Sequence, residues 1–383
     1  RKEMKIAVVV NELNVRGGTH KQVLRLCQYL RENKIDFILC TKIYDENKTY
    51  REFKEFDVTS LYYDSTEWEN ANHRDDNKRL YECIPRDVDI INIHDNQLNA
   101  LMLRAVLNRK KVVWQINDLP SVFQVGVDSA YRKTIKDILS KIAIKYIAKK
   151  VKKITVNVTK NKERVEQIMG RSADVFYCGV DVNDRLKRHS HSEIKSVFNL
   201  LSMGVFIPYR NYETLIKVVN LLNKSGYRVK LDIIGNTEFD TKYVEKVKNL
   251  IEKTNSEKYV KIWGQVDEDV YTQLFNTANA FAFVNIEQSW GLAVFEAMSA
   301  GLPTIVSNSV GAIELLHNNQ DAIIVDPLNS SEICDVIKQL IDDKQYYDLI
   351  SRNAAKAVKE FTWDNLYSSK MLTVFKEITE EVK

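Results

Sequence analysis

Apolar positions along the chain switch repeatedly between two periods. Strand-like runs fall at 5–10, 37–41, 88–93, 111–116, 154–158 and 175–177, and the stretches between them carry apolar residues near i, i+3, i+4 spacing. The first such stretch, 21–31, places Val23, Leu24, Leu26, Cys27 and Leu30 on one helical face. Further helices are expected at 97–108, 130–150 and 160–169. Alternation of this kind predicts βαβ units and a parallel sheet, so the first half reads as a Rossmann-like layer structure. The segment NDRLKRHSHSE within 181–193 follows neither period and reads as a linker. Beyond it the alternation restarts, with strands at 197–203, 229–234, 259–263, 280–285 and 304–307 and helices at 211–224, 240–253, 330–342 and 345–360. This predicts a second Rossmann-like sheet. Thr362-Trp363-Asp364 then opens a last helix to about Val382, with Thr362 or Asp364 as its cap. The expected division is 1–182 with the helix 364–383, and 194–363.

Length agrees with two domains, since 383 residues are enough for two independent cores. The chain is 44% hydrophobic and 28% charged, which argues against disorder or a disulfide-stapled miniature. Its longest apolar runs, 6–10 and 280–284, have five residues and are too short to cross a bilayer. With no export signal read at the start, and with five widely spaced cysteines that suit buried thiols, a cytoplasmic protein is expected. The net charge of +4 is unevenly spread: residues 1–180 hold 33 Lys/Arg against 24 Asp/Glu, so the surplus is in the first half. It concentrates at 131–153, where nine Lys/Arg meet only Asp137. Ile135, Ile138, Leu139, Ile142, Tyr146 and Ile147 are read along one face of this segment, with lysines on the other. It suits either peripheral contact with an anionic membrane or a helix packed on its own sheet with lysines outward. Nucleic acid is not expected, because no aromatic interleaving accompanies the charge.

Three strand-to-helix junctions carry candidate chemistry. Arg16-Gly17-Gly18-Thr19 follows the first strand, where open α/β sheets bind ligands. Two glycines admit a phosphate or sugar to the backbone, although the spacing is not that of a dinucleotide fingerprint. Ser202-Met203-Gly204 precedes Pro208-Tyr209-Arg210-Asn211, whose arginine can bind a diphosphate in a bidentate fashion. In the third, Gln288, Ser289, Trp290 and Gly291 lead into a helix bearing Glu296, an acid among Leu292, Ala293, Val294, Phe295 and Ala297. Burying that carboxylate unpaired is costly, so a ligand hydroxyl is its expected partner.

Together with Tyr177-Cys178-Gly179-Val180-Asp181, Ile233-Ile234-Gly235 and Trp263-Gly264, the run EQSWGLAVFEAMSAGLPTIVSNSVGAIE resembles family 4 of the retaining glycosyltransferases over nearly the whole chain. The resemblance implies a GT-B fold: two Rossmann-like domains facing each other across a cleft, with the C-terminal helix crossing back to the first. It implies a metal-independent, hexosyltransferase-type enzyme that moves a sugar, with retention, from a nucleotide-diphosphate sugar to a glycan, lipid-linked or other acceptor in cell-surface polysaccharide or glycoconjugate synthesis. Glu296 would bond the donor ribose. Arg210, the amides of Leu292 and Ala293 and the Gly17-Gly18 loop, with Gly204 nearby, would hold the diphosphate. Gln288, Ser289, Trp290 and Gly291 would line the sugar, and Trp263 and Gly264 the base.

Two positions depart from the family pattern. Gln288 stands eight residues before Glu296 where an acid is usual, with Glu287 displaced by one, and Asn117 stands where members often carry a histidine. Asn117 cannot act as a base, which leaves Asp118 and His94 as further acceptor-side groups. No metal or other cofactor is expected, since Asp87-Val88-Asp89 directly precedes a strand. The alternatives are a nucleotide-sugar epimerase on the same fold and a non-catalytic nucleotide-sugar-binding subunit.

Overall fold

Both halves of the chain build parallel sheets whose strand order reverses at one point. The computed structural model describes residues 4–94, 97–123, 135–181, 186, 189–287 and 290–380. Two units result, Arg1–Gly179 with Trp363–Lys383, and Val180–Thr362. The boundary therefore falls at Gly179/Val180, ahead of the expected linker, of which 182–185 and 187–188 lie outside the described residues.

The first unit holds β1 (Lys5–Leu13), β2 (Asp36–Tyr44), β3 (Val58–Tyr62), β4 (Ile90–Ile93), β5 (Lys111–Ile116), β6 (Lys153–Val156) and β7 (Asp174–Val175). Their order is β3-β2-β1-β4-β5-β6-β7, with parallel pairing throughout. Ile6 to Val10 are at most 1% exposed, as a strand covered by helices on both faces requires. Helix Gly18–Glu32 buries Val23, Leu24, Leu26, Cys27 and Leu30, the face its spacing predicts. Strand β3 and helix Asp76–Cys83 are additions to the sequence reading.

Asp87 and Asp89 are not part of a strand. They pin its neighbour: the Lys5 amide donates to Asp89 at 2.9 Å and its ammonium to Asp87 at 3.2 Å. The C-terminal segment belongs to this unit. Helix Ser369–Glu380 buries Met371, Leu372, Val374, Phe375 and Ile378, and the Lys111 ammonium donates to the Ile378 carbonyl at 2.8 Å.

The second unit holds β8 (Phe198–Met203), β9 (Val229–Ile234), β10 (Val260–Gly264), β11 (Ala280–Phe283), β12 (Thr304–Ser307) and β13 (Ile323–Val325). Their order is β10-β9-β8-β11-β12-β13, again all parallel. Helix Tyr212–Lys224 packs Leu215, Ile216, Val218, Val219 and Leu222 into a core shared with helices Thr241–Lys253 and Ser330–Asp342. Helix Glu268–Thr277 and strand β13 also extend the sequence reading. Order reverses between β1 and β4 in one unit and between β8 and β11 in the other. The crevice at the carboxyl ends of such strand pairs is where open α/β sheets hold ligands.

All five cysteines are free, and Cys83, expected with the buried thiols, is exposed. Among the described residues no helix is long and apolar enough to cross a membrane.

Candidate functional site

In the second unit the loops after β8 and β11 meet at the reversal point. The Ile286 amide donates to the Tyr209 carbonyl at 2.8 Å. Asn211, left-handed at φ 57 and 6% exposed, donates through its side chain to Val284 O at 3.1 Å and Pro327 O at 2.8 Å. It starts helix Tyr212–Lys224 while fixing Arg210 immediately before it. The Arg210 guanidinium lies 5.4 Å from the ring centroids of both Tyr209 and Phe283, and its buried Nε has no protein partner. It also covers Gly204: a Cβ there would stand 2.7 Å from Arg210 Cζ and Nε.

Phe283 links this loop to the next. A Cβ on Gly291 would stand 3.1 Å from the Phe283 ring and 2.9 Å from Val310 Cγ1, and Gly291 has φ +101. Helix Leu292–Ser299 starts from that glycine with no side-chain cap, so its first amides remain available to an anion. Glu296 lies one turn in and half-buried. The Tyr271 hydroxyl donates to its Oε2 at 3.3 Å. Burial above all, and then the Glu296 charge, push the Tyr271 phenol well above its ordinary range, so it stays a donor at every working pH.

Tyr271 escaped the sequence reading, where it passes for one more helical aromatic, and its ring does pack against Phe275, tilted, with centroids 4.4 Å apart. Tyr271→Phe keeps that ring contact and removes only the hydrogen bond, which is expected to weaken ligand binding through Glu296 about threefold to tenfold with unchanged thermal stability. Titration calorimetry with a nucleoside diphosphate measures this.

Other predicted residues are placed differently. The Trp290 indole points inward, 3% exposed and stacked on Phe295 at 5.2 Å, while its carbonyl accepts from the Ala312 amide at 2.9 Å. Gln288 and Ser289 lie outside the described residues. Trp263, next to last in β10, donates from Nε1 to Asp232 at 2.6 Å, with the Lys261 ammonium 3.2 Å above its ring centroid. Gly264 follows it, and its carbonyl accepts from the Gly235 amide at 2.9 Å. Gly204, Gly235 and Gly264 thus terminate three adjacent strands, with Gly204 beneath the Arg210 guanidinium.

In the first unit, Gly17 precedes helix Gly18–Glu32 with no side-chain cap. Asn117, at the end of β5, is committed to neighbours: its amide donates to Thr19 Oγ1 at 3.0 Å and Gln22 Oε1 at 2.9 Å, and its oxygen accepts from Gln115 at 3.0 Å. It ties the glycine loop's helix to the sheet. Asp118 is exposed beside it, and its charge adds to burial in pushing the Cys178 thiol up to about 12.

His94, at the end of β4, is 2% exposed, with Nε2 2.6 Å from Asn92 Oδ1. Burial lowers it to about 3, so it is neutral in the fold and titrates near 6.5 once unfolded. The unfolded chain therefore binds the extra proton between these values, and stability falls by roughly 1.4 kcal/mol per pH unit as pH drops below 6.5. His94→Gln is expected to flatten that slope in acid-unfolding curves. Among the described residues, no group of His, Cys, Asp and Glu is placed to hold a metal ion.

Similarity to known proteins agrees with this architecture. Residues 184–357 match the family Glycosyl transferases group 1, and residues 16–184 match Glycosyltransferase Family 4. The chain is 24% identical over 225 residues to the capsular polysaccharide biosynthesis glycosyltransferase CapM of Staphylococcus aureus, covering 57% of this chain and 58% of that one. It is 31% identical over 111 residues to sucrose synthase 1 of Hordeum vulgare, which covers 28% of this chain and 14% of the synthase. The match thus spans little more than half of one relative and a small part of the other. In fold it is similar to Anabaena HepE, solved in complex with UDP and glucose, at a TM-score of 0.77 and 16% identity over 98% of this chain and 100% of that one. It is equally similar to sucrose-phosphate synthase from Thermosynechococcus elongatus, at a TM-score of 0.77 and 15% identity over 99% and 100%. Two parallel Rossmann-like sheets, and family matches that run in order from residue 16 to residue 357, make this chain a member of the group 1, family 4 glycosyltransferases with the GT-B fold.

Proposed function

We propose that the chain transfers a sugar, with retention and without a metal, from a nucleotide-diphosphate sugar to a glycan or lipid-linked acceptor in polysaccharide or glycoconjugate synthesis. The observation that carries this reading is the convergence at the β8/β11 reversal point: an arginine with an unpartnered buried Nε, an uncapped helix start and, one turn on, a carboxylate held by Tyr271. A cation and a row of amides suit a diphosphate. A carboxylate suits sugar hydroxyls. UDP in HepE supports the donor class, and CapM supports the pathway class.

The chemistry asks little of a base. The bond from the anomeric carbon to the diphosphate oxygen breaks, its electron pair staying on that oxygen, where Arg210 and the amides of Leu292 and Ala293 receive the charge. The acceptor hydroxyl oxygen bonds the same face of the anomeric carbon, and its proton passes to the departing diphosphate oxygen. Asn117 orients rather than titrates, consistent with its three side-chain hydrogen bonds. Asp118, exposed at the same strand end, is assigned to the acceptor.

Proton NMR of the product, formed with and without EDTA, tests the two finer claims. Retention of the donor's anomeric configuration, at an unchanged rate in EDTA, is the expected result. An inverted product or loss of rate in EDTA overturns them, and nucleotide-sugar isomerised without acceptor would mean an epimerase.

A further inference from the structure

The loop between β9 and helix Thr241–Lys253 presents Phe239 at 75% exposure, the highest of any large hydrophobic side chain among the described residues. The backbone that carries it is tightly held. The Asn236 side-chain oxygen accepts from the Glu238 amide at 2.7 Å and the Phe239 amide at 3.2 Å. The Asn236 carbonyl accepts from the Phe206 amide at 2.9 Å, and Asp240 caps the helix by accepting from the Tyr243 amide at 3.0 Å. Phe239 is thus fixed in place by its neighbours, while its own ring adds almost nothing to the core.

Its position gives the ring a use. Strand β9 is parallel to β8 and β10, so this loop stands at the same carboxyl edge as Gly204 and Arg210, one strand over. A diphosphate bound by Arg210 and the start of helix Leu292–Ser299 has room for its nucleoside on that side. Toward β12 the edge is filled: Val310 Cγ1 lies 2.9 Å from where a Gly291 Cβ would stand, and the Ala312 amide donates to the Trp290 carbonyl at 2.9 Å. Toward β9 and β10 the strands give way at Gly235 and Gly264. Chain neighbours aside, a Cβ built on Gly264 meets only Thr237 Oγ1, at 3.9 Å.

A base is held by stacking on a π-face, and the other aromatics at this edge have theirs engaged. Phe206 and Tyr212 are buried and packed on each other, with centroids 4.7 Å apart. The Tyr209 ring lies 5.4 Å from the Arg210 guanidinium. Trp263, expected from sequence to line the base, is covered on one face by the Lys261 ammonium and tied through its indole nitrogen to Asp232. We infer that Phe239 is the platform on which the donor's nucleobase stacks. The inference rests on the proposed nucleotide-sugar donor and adds to it the residue that holds the base. Every base has a π-face, so Phe239 supplies affinity, and the choice among bases falls to the hydrogen-bonding groups around it.

Titration calorimetry of the full chain with UDP, GDP, ADP and TDP, and with inorganic pyrophosphate as a probe that has no base, tests this. For the nucleoside diphosphate that the wild type binds most tightly, Phe239→Ala is expected to raise Kd about fivefold to a hundredfold, and Phe239→Tyr to restore it. Pyrophosphate binding and the melting temperature should stay at their wild-type values. In turnover of the matching nucleotide-sugar, Phe239→Ala should raise KM and leave kcat unchanged, because the base is remote from the bond that breaks and is held alike in ground and transition states. An unchanged nucleoside diphosphate Kd in Phe239→Ala, or an equal loss of pyrophosphate affinity, would overturn the inference and leave the donor reading standing. So would a wild type that binds no nucleoside diphosphate more tightly than pyrophosphate. Binding of neither kind of probe would overturn both.

Discussion

Arg210→Ala is expected to lower the turnover of nucleotide-sugar about 100-fold to 1000-fold, with a smaller loss of donor affinity. The reason is where its charge acts. A donor diphosphate already carries negative charge in the ground state, but the oxygen that leaves gains more as the glycosidic bond breaks, so the guanidinium acts more strongly on the transition state. The fold is expected to tolerate the change. Arg210 Nε has no protein partner to orphan, and the ordering of its loop comes from Asn211 and the Ile286 amide rather than from Arg210 itself. Arg210→Lys should recover part of the rate, since a point charge replaces the bidentate fork. Steady-state kinetics with a thermal melt distinguishes this from misfolding: a normal melt with collapsed kcat is the expected pair of results.

Gly235→Ala is expected to be the most damaging single methyl group in the second unit. Its Cβ would lie 1.8 Å from the Gly204 carbonyl oxygen and 2.6 Å from that carbonyl carbon, at φ +155. Both obstacles are backbone, so no side chain can swing aside, and the ends of β8 and β9 must separate. A cost of about 3 kcal/mol or more follows, or roughly 10 °C in melting temperature at about 2–4 °C per kcal/mol for a unit of this size. Because Gly204 also lies beneath Arg210, the same displacement should reduce donor turnover. Gly226→Ala provides the contrast. Gly226 has φ +91 and nothing within 4 Å of its Cβ, so only the left-handed penalty of about 1–2 kcal/mol applies. Differential scanning calorimetry of both variants measures the difference.

What sequence could foretell here depended on how local the cause is. Strands such as β1 and β11 are short apolar runs with nothing to compete for their reading, and Gly204, Arg210 and Gly291 fall at strand-to-helix junctions because the switch of period around them is local. Strand β3 was not legible, since Val58-Thr59-Ser60-Leu61-Tyr62 is an edge strand with polar residues in its middle. Helix Glu268–Thr277 did carry a signal, the Asp267 cap whose side chain accepts from the Val270 amide at 2.9 Å.

Contacts between distant residues were out of reach. Nothing local to Tyr271 points to Glu296, and nothing near Gly235 announces the Gly204 carbonyl. Trp290 is another case: nothing in its place beside Gly291 foretells that its ring is buried and stacked on Phe295, five residues on. The helix at 135–150 is a correction: the sequence reading sets Ile147 on one face with Ile142, but Ile147 is buried and Ile142 is 60% exposed, because the two lie about 140° apart around the helix.

The central claim is that a nucleotide-sugar is cleaved by the groups gathered at the β8/β11 reversal point. Release of free sugar and nucleoside diphosphate from a panel of UDP-, GDP-, ADP- and TDP-sugars, by the wild type and by Glu296→Ala, tests it most directly. Slow hydrolysis of one donor class, lost in Glu296→Ala while the melt stays normal, is the predicted result. Hydrolysis unaffected by that substitution, or binding of none of the four classes, would contradict the account.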